Sequence, residues 1–370
     1  MRILYVTTVG GTMGFFKSFI QELIQQGHTV EIATHENDVS KVPDCYREWG
    51  CVIHQLNTSR SPLDKGNFVA IGQIKKLVEE NKYDIVHCHT PIAAMCTRLA
   101  CRKVRKQGTK VFYTAHGFHF FKGAPLKNWL IYYTVEKICA HFTDLLITIN
   151  KEDYELAQRK LKAKRIEYVP GVGIDLDKFQ KCEVNREEKR KELGIPDDAF
   201  LLLSVGELNQ NKNHQVIIRA MAKLNDKSVH YAIAGKGNNK DNLIALANEL
   251  GLSENVHLLG FRNDIPQINH CADAFCFPSK REGLGLGAIE AMSCGVALIT
   301  SNVHGINDYS IDGVTGYKTS PDNVEGFKEC IEKCLSNREK LEEFKKYNIQ
   351  KAKDYDVVKI KKIMHELYVI

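Results

Sequence analysis

The segment PSKREGLGLGAIEAM, from Pro278 to Met292, is the most informative part of the sequence. It follows the short apolar run Ala274–Phe277 and leads into a helical pattern, so we interpret it as a strand-to-helix loop. Its glycines allow backbone amides to approach a ligand closely, and a helix N-terminus favours phosphate. The stretch therefore predicts an anion-binding turn.

Two glutamates frame this turn. Glu282 lies in the loop, and Glu290 lies about two turns into the helix, so the two carboxylates can reach different ends of one elongated ligand. Carboxylates accept hydrogen bonds from sugar hydroxyls, so one of the two glutamates could bind a hexose and the other a ribose. A bare pair at this spacing also occurs by chance in glycine-rich turns with solvated glutamates.

Apolar strand-like runs alternate with helical patterns on both sides of this stretch. Short buried runs separated by helices predict two doubly wound parallel sheets. The predicted strands of the first half are Ile3–Val6, Val30–Ala33, Val52–Leu56, Ile85–His87, Val111–Thr114 and Leu145–Ile149. Those of the second half are Phe200–Val205, Val229–Ala234, Val256–Leu259, Ala274–Phe277 and Ala297–Thr300.

The length of 370 residues suits two domains of this kind. We predict one Rossmann-like domain at 1–170 and a second at 171–354, with a helix at 355–370 packing back on the first domain. The segment Pro170–Gly173 and the charged stretch Lys181–Glu192 are expected to form the linker.

Composition excludes several functional classes. The net charge of +6 and the lack of an Arg/Lys tract with interleaved aromatics argue against a nucleic-acid partner. The twelve cysteines are scattered without a C-x-x-C pair, so we expect reduced thiols and no metal site. We expect neither a secretory leader nor a membrane span, and therefore a cytoplasmic protein.

Beyond these patterns, the sequence is similar to a known family. Pro278-Ser279, Glu282-Gly283-x-Gly285 and Glu290-Ala291-Met292, followed by Gly295 and an apolar strand, resemble the donor signature of retaining GT-B glycosyltransferases of family four. The resemblance implies an α/β GT-B fold, with two Rossmann-like domains facing across a cleft. It also implies sugar transfer from a nucleotide-sugar, which is a substrate, with no cofactor or metal.

The resemblance carries over residue by residue. It implies catalytic roles for His116 facing the transferred sugar, Glu282 on the donor sugar and Lys212 on the phosphates. The donor-binding residues implied are Gly10, Gly11, Glu207, Lys236, Phe261, Arg262, Gly283, Leu284, Gly285, Leu286 and Glu290, the last on the ribose. The residues expected on the acceptor side are His89, Phe118 and Lys122.

One position departs from the family pattern. Many relatives carry an arginine where this chain has Glu207, five residues before the retained Lys212. Lys212 is then expected to bear more of the diphosphate charge, with Lys236 or Lys280 as helpers. The alternative is that Glu207 pairs with Lys212 in the empty enzyme.

Two apparent metal motifs are set aside. The Asp-x-Asp patterns at Asp175 and Asp354 match metal-dependent transferases of another fold, but three-residue patterns recur by chance. His87 and His89 are expected to point to opposite faces of their strand, which argues against a shared metal ion.

The acceptor is the least constrained part of the interpretation. The segment 118–133 mixes aromatics with Lys122 and Lys127, which suits either an element at the membrane interface or an aromatic packing helix. The pattern resembles bacterial capsular and exopolysaccharide transferases. It implies a polyprenyl-diphosphate-linked saccharide acceptor, a UDP-sugar donor with UDP-N-acetylhexosamine among the candidates, and peripheral contact with the cytoplasmic face of the inner membrane. The alternatives are a soluble small-molecule acceptor and a non-catalytic nucleotide-sugar-binding subunit.

Overall fold

The computed structural model describes residues 1–369. By their contacts, these residues divide into two compact units that meet in sequence at Val172 and Gly173. The predicted domain boundary lies two residues earlier. The helix at the end of the chain is grouped here with the second unit.

The first unit is built on a parallel sheet with helices between its strands. Its strands are β1 (Arg2–Val6), β2 (Thr29–Thr34), β3 (Val52–Gln55), β4 (Ile85–His89), β5 (Lys110–Ala115), β6 (Leu145–Thr148) and β7 (Arg165–Tyr168). Its helices are α1 (Lys17–Gln25), α2 (Cys45–Glu48), α3 (Gly66–Asn81), α4 (Pro91–Ala100), α5 (Arg102–Arg105), α6 (Leu126–Asn128), α7 (Thr134–Ala140) and α8 (Lys151–Lys160). A 3₁₀ helix spans Gly10–Phe16, and a π-helical turn spans Trp129–Tyr133.

The strand order in this sheet is β3-β2-β1-β4-β5-β6-β7, and neighbouring strands are parallel. The order reverses between β1 and β4. In open α/β sheets, ligands bind beyond the carboxyl ends of the strands at such a switch point.

The second unit repeats the same architecture. Its strands are β8 (Phe200–Val205), β9 (Val229–Ala234), β10 (Val256–Gly260), β11 (Ala274–Phe277), β12 (Ala297–Ser301) and β13 (Gly316–Thr319). Its helices are α9 (Leu176–Gln180), α10 (Arg186–Glu192), α11 (His214–Leu224), α12 (Lys240–Glu249), α13 (Ile265–Cys271), α14 (Leu286–Ser293), α15 (Val324–Ser336), α16 (Arg338–Ala352) and α17 (Val357–Tyr368). The parallel order β10-β9-β8-β11-β12-β13 places the switch point between β8 and β11.

Each sheet has its own hydrophobic core. In the first unit, the strands pack against α3 and α4 through residues such as Val86, Ile74 and Ala93. In the second unit, Leu202 and Tyr231 pack against α11 and α15. Strands buried on both faces explain the continuous apolar runs in the sequence. The predicted α/β fold class, with two Rossmann-like sheets, is confirmed.

The linker prediction for Lys181–Glu192 is wrong. Its second half forms α10, and the Arg190 side chain is buried beneath it. The Arg190 guanidinium donates to the backbone oxygens of Asp197 and Ala199 at 2.7 and 2.8 Å and to the Asp273 carboxylate at 2.8 Å. A charged run can therefore belong to the core when one of its cations is fully hydrogen-bonded.

Candidate active site

The glycine-rich turn at 278–285 joins β11 to α14, as predicted. Gly285 is the residue before the first turn of α14 and has a φ of 95°. A Cβ at this position would lie 2.5 Å from Cε1 of Phe277 and 2.9 Å from the buried hydroxyl of Tyr309. Only glycine fits the left-handed conformation and the close contact together. The turn therefore places the amino end of α14 beyond the carboxyl end of β11.

Lys212 and Glu282 meet at this edge. Lys212 follows β8 and Glu282 follows β11, so the two side chains come from the strands that flank the switch point. Lys212 Nζ lies 2.7 Å from Glu282 Oε1, and the side chains are 20% and 14% exposed. The ammonium also lies 4.6 Å from the centre of the Phe277 ring. These two predicted catalytic residues form one half-buried ion pair.

Glu207 is not the partner of Lys212. Its side chain is exposed, and its carboxylate accepts a hydrogen bond from Asn209 Nδ2 at 3.0 Å. The alternative of a Glu207–Lys212 pair in the empty enzyme is therefore wrong. Since Glu207 points to solvent, it does not neutralise the lysine. Lys280, the other suggested helper, is paired with Asp322 at 2.9 Å on the surface.

Lys236 and Phe261 form an exposed pair on neighbouring loops. Lys236 Nζ lies 5.7 Å from the centre of the Phe261 ring, which is largely exposed. These loops follow β9 and β10, so the pair lies at the same carboxyl edge as Lys212. A flat exposed ring with a nearby cation suits stacking against a base and attraction to a phosphate.

Arg262 is committed to carboxylates. Its guanidinium contacts Asp264 and Glu192, with Nη2 at 2.5 Å from an oxygen of each. These hydrogen bonds raise the pKa of Arg262 and hold the pKa of Asp264 at about 2. The structure therefore ties this arginine into an ion-pair network that anchors the loop after β10.

Glu290 lies on the second turn of α14, as predicted, and its carboxylate is largely shielded from solvent. Burial raises its pKa, and the charge of Lys178 partly opposes this. Within residues 1–369, its carboxylate has no hydrogen-bond partner. A shielded acceptor without a partner is suited to a ligand hydroxyl. The loop residues Gly283 and Leu284 pack against Gly305, where a Cβ would lie 1.9 Å from the oxygen of Gly283.

In the first unit, the predicted site residues centre on three histidines. His89 Nδ1 lies 3.1 Å from His116 Nε2, and His87 Nε2 lies 2.8 Å from Thr114 Oγ1. The rings of His87 and His89 are 4.2 Å apart, so they lie on the same face of β4. The expectation that they face opposite sides is wrong because residues two apart on a strand share a face.

His89 lies beneath His116. It is only 2% exposed, and it stacks on Tyr5 and contacts Phe16. Its Nε2 is buried and has no hydrogen-bond partner in the described part of the chain. In this structure, His116 therefore presents a ring to the sheet edge, whereas His89 supports it from below and offers no surface to an acceptor.

Burial keeps these histidines neutral. It lowers the pKa of His116 to about 4 and that of His87 to about 3, and that of His89 lies well below its usual value. A neutral His116 can exchange hydrogen bonds with sugar hydroxyls without adding charge to the site.

A pH dependence of stability follows. Between pH 6.5 and 4 the unfolded chain binds protons that the folded histidines do not, so the first unit becomes less stable as the pH falls. Each buried histidine contributes up to about 1.4 kcal/mol per pH unit. We expect His116→Gln to reduce this slope by about that amount. Both tryptophans, Trp49 and Trp129, lie in this unit, so urea unfolding followed by tryptophan fluorescence reports on it. Equal slopes in wild type and His116→Gln would contradict the assignment.

The remaining predicted residues have structural partners. The amides of Gly10 and Gly11 donate to His35 O and Ser40 Oγ, both at 2.9 Å, and thereby hold the loop after β1 against the segment near Ser40. Phe118 is buried in the core, so its ring is not available to an acceptor here. Lys122 is exposed, and its backbone amide donates to Glu152.

Comparisons with known proteins show which family the chain is similar to. The family model described as glycosyl transferase 4-like matches residues 2–150, and the one described as glycosyl transferases group 1 matches residues 185–351. A putative glycosyltransferase, EpsD, of Bacillus subtilis is 37% identical over 321 residues, which cover 85% of this chain and 82% of that protein. The Escherichia coli UDP-Gal:alpha-D-GlcNAc-diphosphoundecaprenol alpha-1,3-galactosyltransferase is 30% identical over 68% of this chain and 66% of its own length.

Solved structures show the same fold. HepE of Anabaena in complex with UDP superposes with a TM-score of 0.82 over 99% of both chains, at 19% identity. WaaG, a glycosyltransferase involved in lipopolysaccharide biosynthesis, gives 0.78 over 99% of both chains, also at 19% identity. The chain therefore belongs to the family-four GT-B glycosyltransferases, and it is an enzyme of the hexosyltransferase class. The alternative of a non-catalytic subunit is set aside.

Proposed function

We propose that the chain transfers a sugar from a UDP-sugar to a polyprenyl-diphosphate-linked saccharide, with retention of the anomeric configuration, in capsule or exopolysaccharide synthesis. The observation that carries the proposal is the Lys212–Glu282 pair at the amino end of α14, on the switch point of the second sheet. The name of the Escherichia coli relative combines a UDP-sugar donor with a diphosphoundecaprenol acceptor, which supports both substrate classes.

In this proposal the ion pair is exchanged when the donor binds. Lys212 and the amides at Gly285 and Leu286 bind the diphosphate, because a fixed cation and a helix N-terminus both favour anions. Glu282, released from the lysine, then accepts hydrogen bonds from the donor sugar. Glu290 binds the ribose hydroxyls with its shielded carboxylate.

The same groups stabilise the transition state. Negative charge grows on the departing diphosphate as the sugar becomes oxocarbenium-like, and Lys212 faces that charge without reorganisation. Neutral His116 orients the sugar. The departing phosphate oxygen takes the acceptor proton on the same face of the sugar, so the proposal needs neither a separate general base nor a metal ion. Among residues 1–369, no group of three or more His, Cys, Asp or Glu side chains is arranged to hold a metal ion.

A lipid-linked acceptor is supported by the surface of the first unit. Leu126, Leu130 and Ile131 are exposed around the π-helical turn, next to exposed Lys127. The aromatics Trp129 and Tyr133 instead pack against the core. Aliphatic side chains beside a lysine suit contact with the acyl boundary and headgroups. In the described part of the chain, no helix is long and apolar enough to cross a membrane, and we propose peripheral contact at the cytoplasmic face.

A transfer assay tests the proposal. Radiolabelled UDP-glucose, UDP-galactose and UDP-N-acetylhexosamines are offered with a detergent-solubilised lipid-diphosphate saccharide, and the product is analysed by NMR. We expect transfer from a UDP-sugar and a product with the α-configuration of the donor. An inverted product would contradict the retaining mechanism.

The competing acceptor class is tested in the same assay. D-inositol 3-phosphate glycosyltransferases of Mycobacterium are 30% identical over 70% of this chain and 60% of their own length, so inositol phosphate is the matched soluble acceptor. Transfer to it, with none to the lipid, would replace the lipid proposal by the soluble one.

A further inference from the structure

A pocket of about 330 Å³ lies in the first unit, at the carboxyl ends of β1 and β4. Its walls include Thr8, Thr12, Arg60, Thr90, His119 and Tyr132. Thr8 follows β1 and Thr90 follows β4, so the pocket occupies the switch point of the first sheet. An open α/β sheet binds ligands at this place. None of these residues belongs to the predicted site, although His119 is close to His116 in sequence.

The pocket offers positive charge that the protein does not neutralise. Arg60 is exposed and, within residues 1–369, has no ion pair or hydrogen bond; the hydroxyl of Thr12 has no hydrogen bond there either. The first turn of α4, at Pro91 and Ile92, also lines the pocket and adds the positive end of a helix dipole. An unpaired guanidinium with hydroxyls beside it matches the oxygens of a phosphoryl group.

The wall at Thr90 is conformationally strained. Thr90 is β-branched, yet its φ is 67°. The conformation is held because the Thr8 amide donates to Thr90 Oγ1 at 3.2 Å, and the two threonine hydroxyls lie 2.6 Å apart. Such strain persists where the surroundings enforce it, and it is frequent at ligand sites.

Exposed apolar residues adjoin the pocket lining in the chain. Pro62 lines the pocket, and the next residue, Leu63, is 91% exposed. Tyr132 also lines it and belongs to the turn in which Leu130 and Ile131 are 67% and 54% exposed. A guanidinium and hydroxyl groups in the lining, with exposed aliphatic residues next to it in the chain, match a phosphoryl group carried on a long hydrocarbon chain.

We propose that this pocket binds the diphosphate of the lipid-linked acceptor and that Arg60 is the residue that contacts its phosphoryl oxygens. The inference rests on the proposed function for the class of acceptor. It adds the place where the acceptor is held and the residue that distinguishes a diphosphate-linked saccharide from a neutral one.

Binding of farnesyl diphosphate, a short soluble analogue, tests the pocket without turnover. The measurement is made by calorimetry with saturating UDP, so that the donor-binding site of the protein is already occupied by a diphosphate. We expect Arg60→Ala to raise the dissociation constant at least about tenfold and Arg60→Lys to raise it less. Arg159→Ala, at an exposed arginine on α8 without a carboxylate partner, is the matched control and should bind as wild type does. Equal binding by wild type and Arg60→Ala would overturn the proposal.

Other probes identify the source of the phosphate. Inorganic pyrophosphate should bind more weakly than farnesyl diphosphate but with the same dependence on Arg60, whereas farnesol should not depend on it. Arg60-dependent binding to phosphatidylglycerol vesicles, without binding of farnesyl diphosphate, would overturn the proposal in favour of a phospholipid headgroup site.

Failure of the pocket and failure of the proposed function give different results. If the wild type transfers sugar to the lipid-diphosphate acceptor and Arg60→Ala shows the same KM for it, the pocket assignment is wrong while the function stands. If Arg60-dependent binding of farnesyl diphosphate is measured but no sugar is transferred to any lipid acceptor, the pocket is a binding site for a lipid diphosphate and the proposed function is wrong.

Discussion

Lys212→Ala is expected to lower the turnover of sugar transfer about 10²- to 10³-fold, with the fold retained. The lysine is the cation that the structure places at the amino end of α14, 2.7 Å from Glu282 and free of Glu207. Removing one preorganised donor to a developing anion costs roughly 3–4 kcal/mol of transition-state stabilisation. Because no arginine stands at position 207 to compensate, we expect the loss to fall at the upper end of this range.

Single-turnover rates at saturating donor measure this effect. Lys223→Ala is the matched control. Lys223 lies on α11, the helix that follows Lys212, and it pairs with Glu325 on the surface. The control should retain the wild-type rate. A loss of less than about tenfold in Lys212→Ala would show that another group stabilises the diphosphate.

Gly285→Ala is expected to destabilise the second unit by about 2–5 kcal/mol and to abolish donor binding. A side chain at a φ of 95° is strained by about 1–2 kcal/mol. The new methyl group would also lie 2.5 Å from Phe277, and such overpacking costs about 1–3 kcal/mol. Relief of the contact must move Phe277 or the start of α14, and both contribute to the site of Lys212.

Gly251→Ala separates the two causes. Gly251 has a φ of 66°, but a Cβ there would meet nothing within 4 Å. This variant should lose only the backbone strain of about 1–2 kcal/mol and bind UDP normally. Thermal unfolding by calorimetry measures both variants. Equal destabilisation by the two substitutions would mean that the Phe277 contact is unimportant.

The regular part of the fold could be predicted because its strands are buried on both faces. Runs such as Phe200–Val205 and Val229–Ala234 are almost entirely apolar in sequence, and their predicted bounds match the observed strands. The edge strands β7 and β13 are missing from the predictions because their short sequences, RIEY and GYKT, contain too few apolar residues to form an apolar run. Similarly, the charge of Arg190 hides its burial, since its partners are backbone oxygens distant in sequence.

The sequence motif locates part of the candidate site but not the pairings of its residues. The motif locates Glu282 and the start of α14, yet it does not reveal that Lys212, 70 residues earlier, contacts that glutamate. That contact depends on the order of β8 and β11 in the sheet. Arg60 and Thr90 carry no sequence signal, because an unpaired cation and a positive φ become visible only in three dimensions.

In the proposed mechanism, UDP-sugars bind at the amino end of α14 through Lys212. Calorimetric titration of UDP into wild type and Lys212→Ala measures this binding and requires neither an acceptor nor turnover. We expect UDP binding to the wild type and a dissociation constant at least about tenfold higher in the variant. Failure of the wild type to bind UDP, or equal affinities of the two proteins, would rule out this role of Lys212.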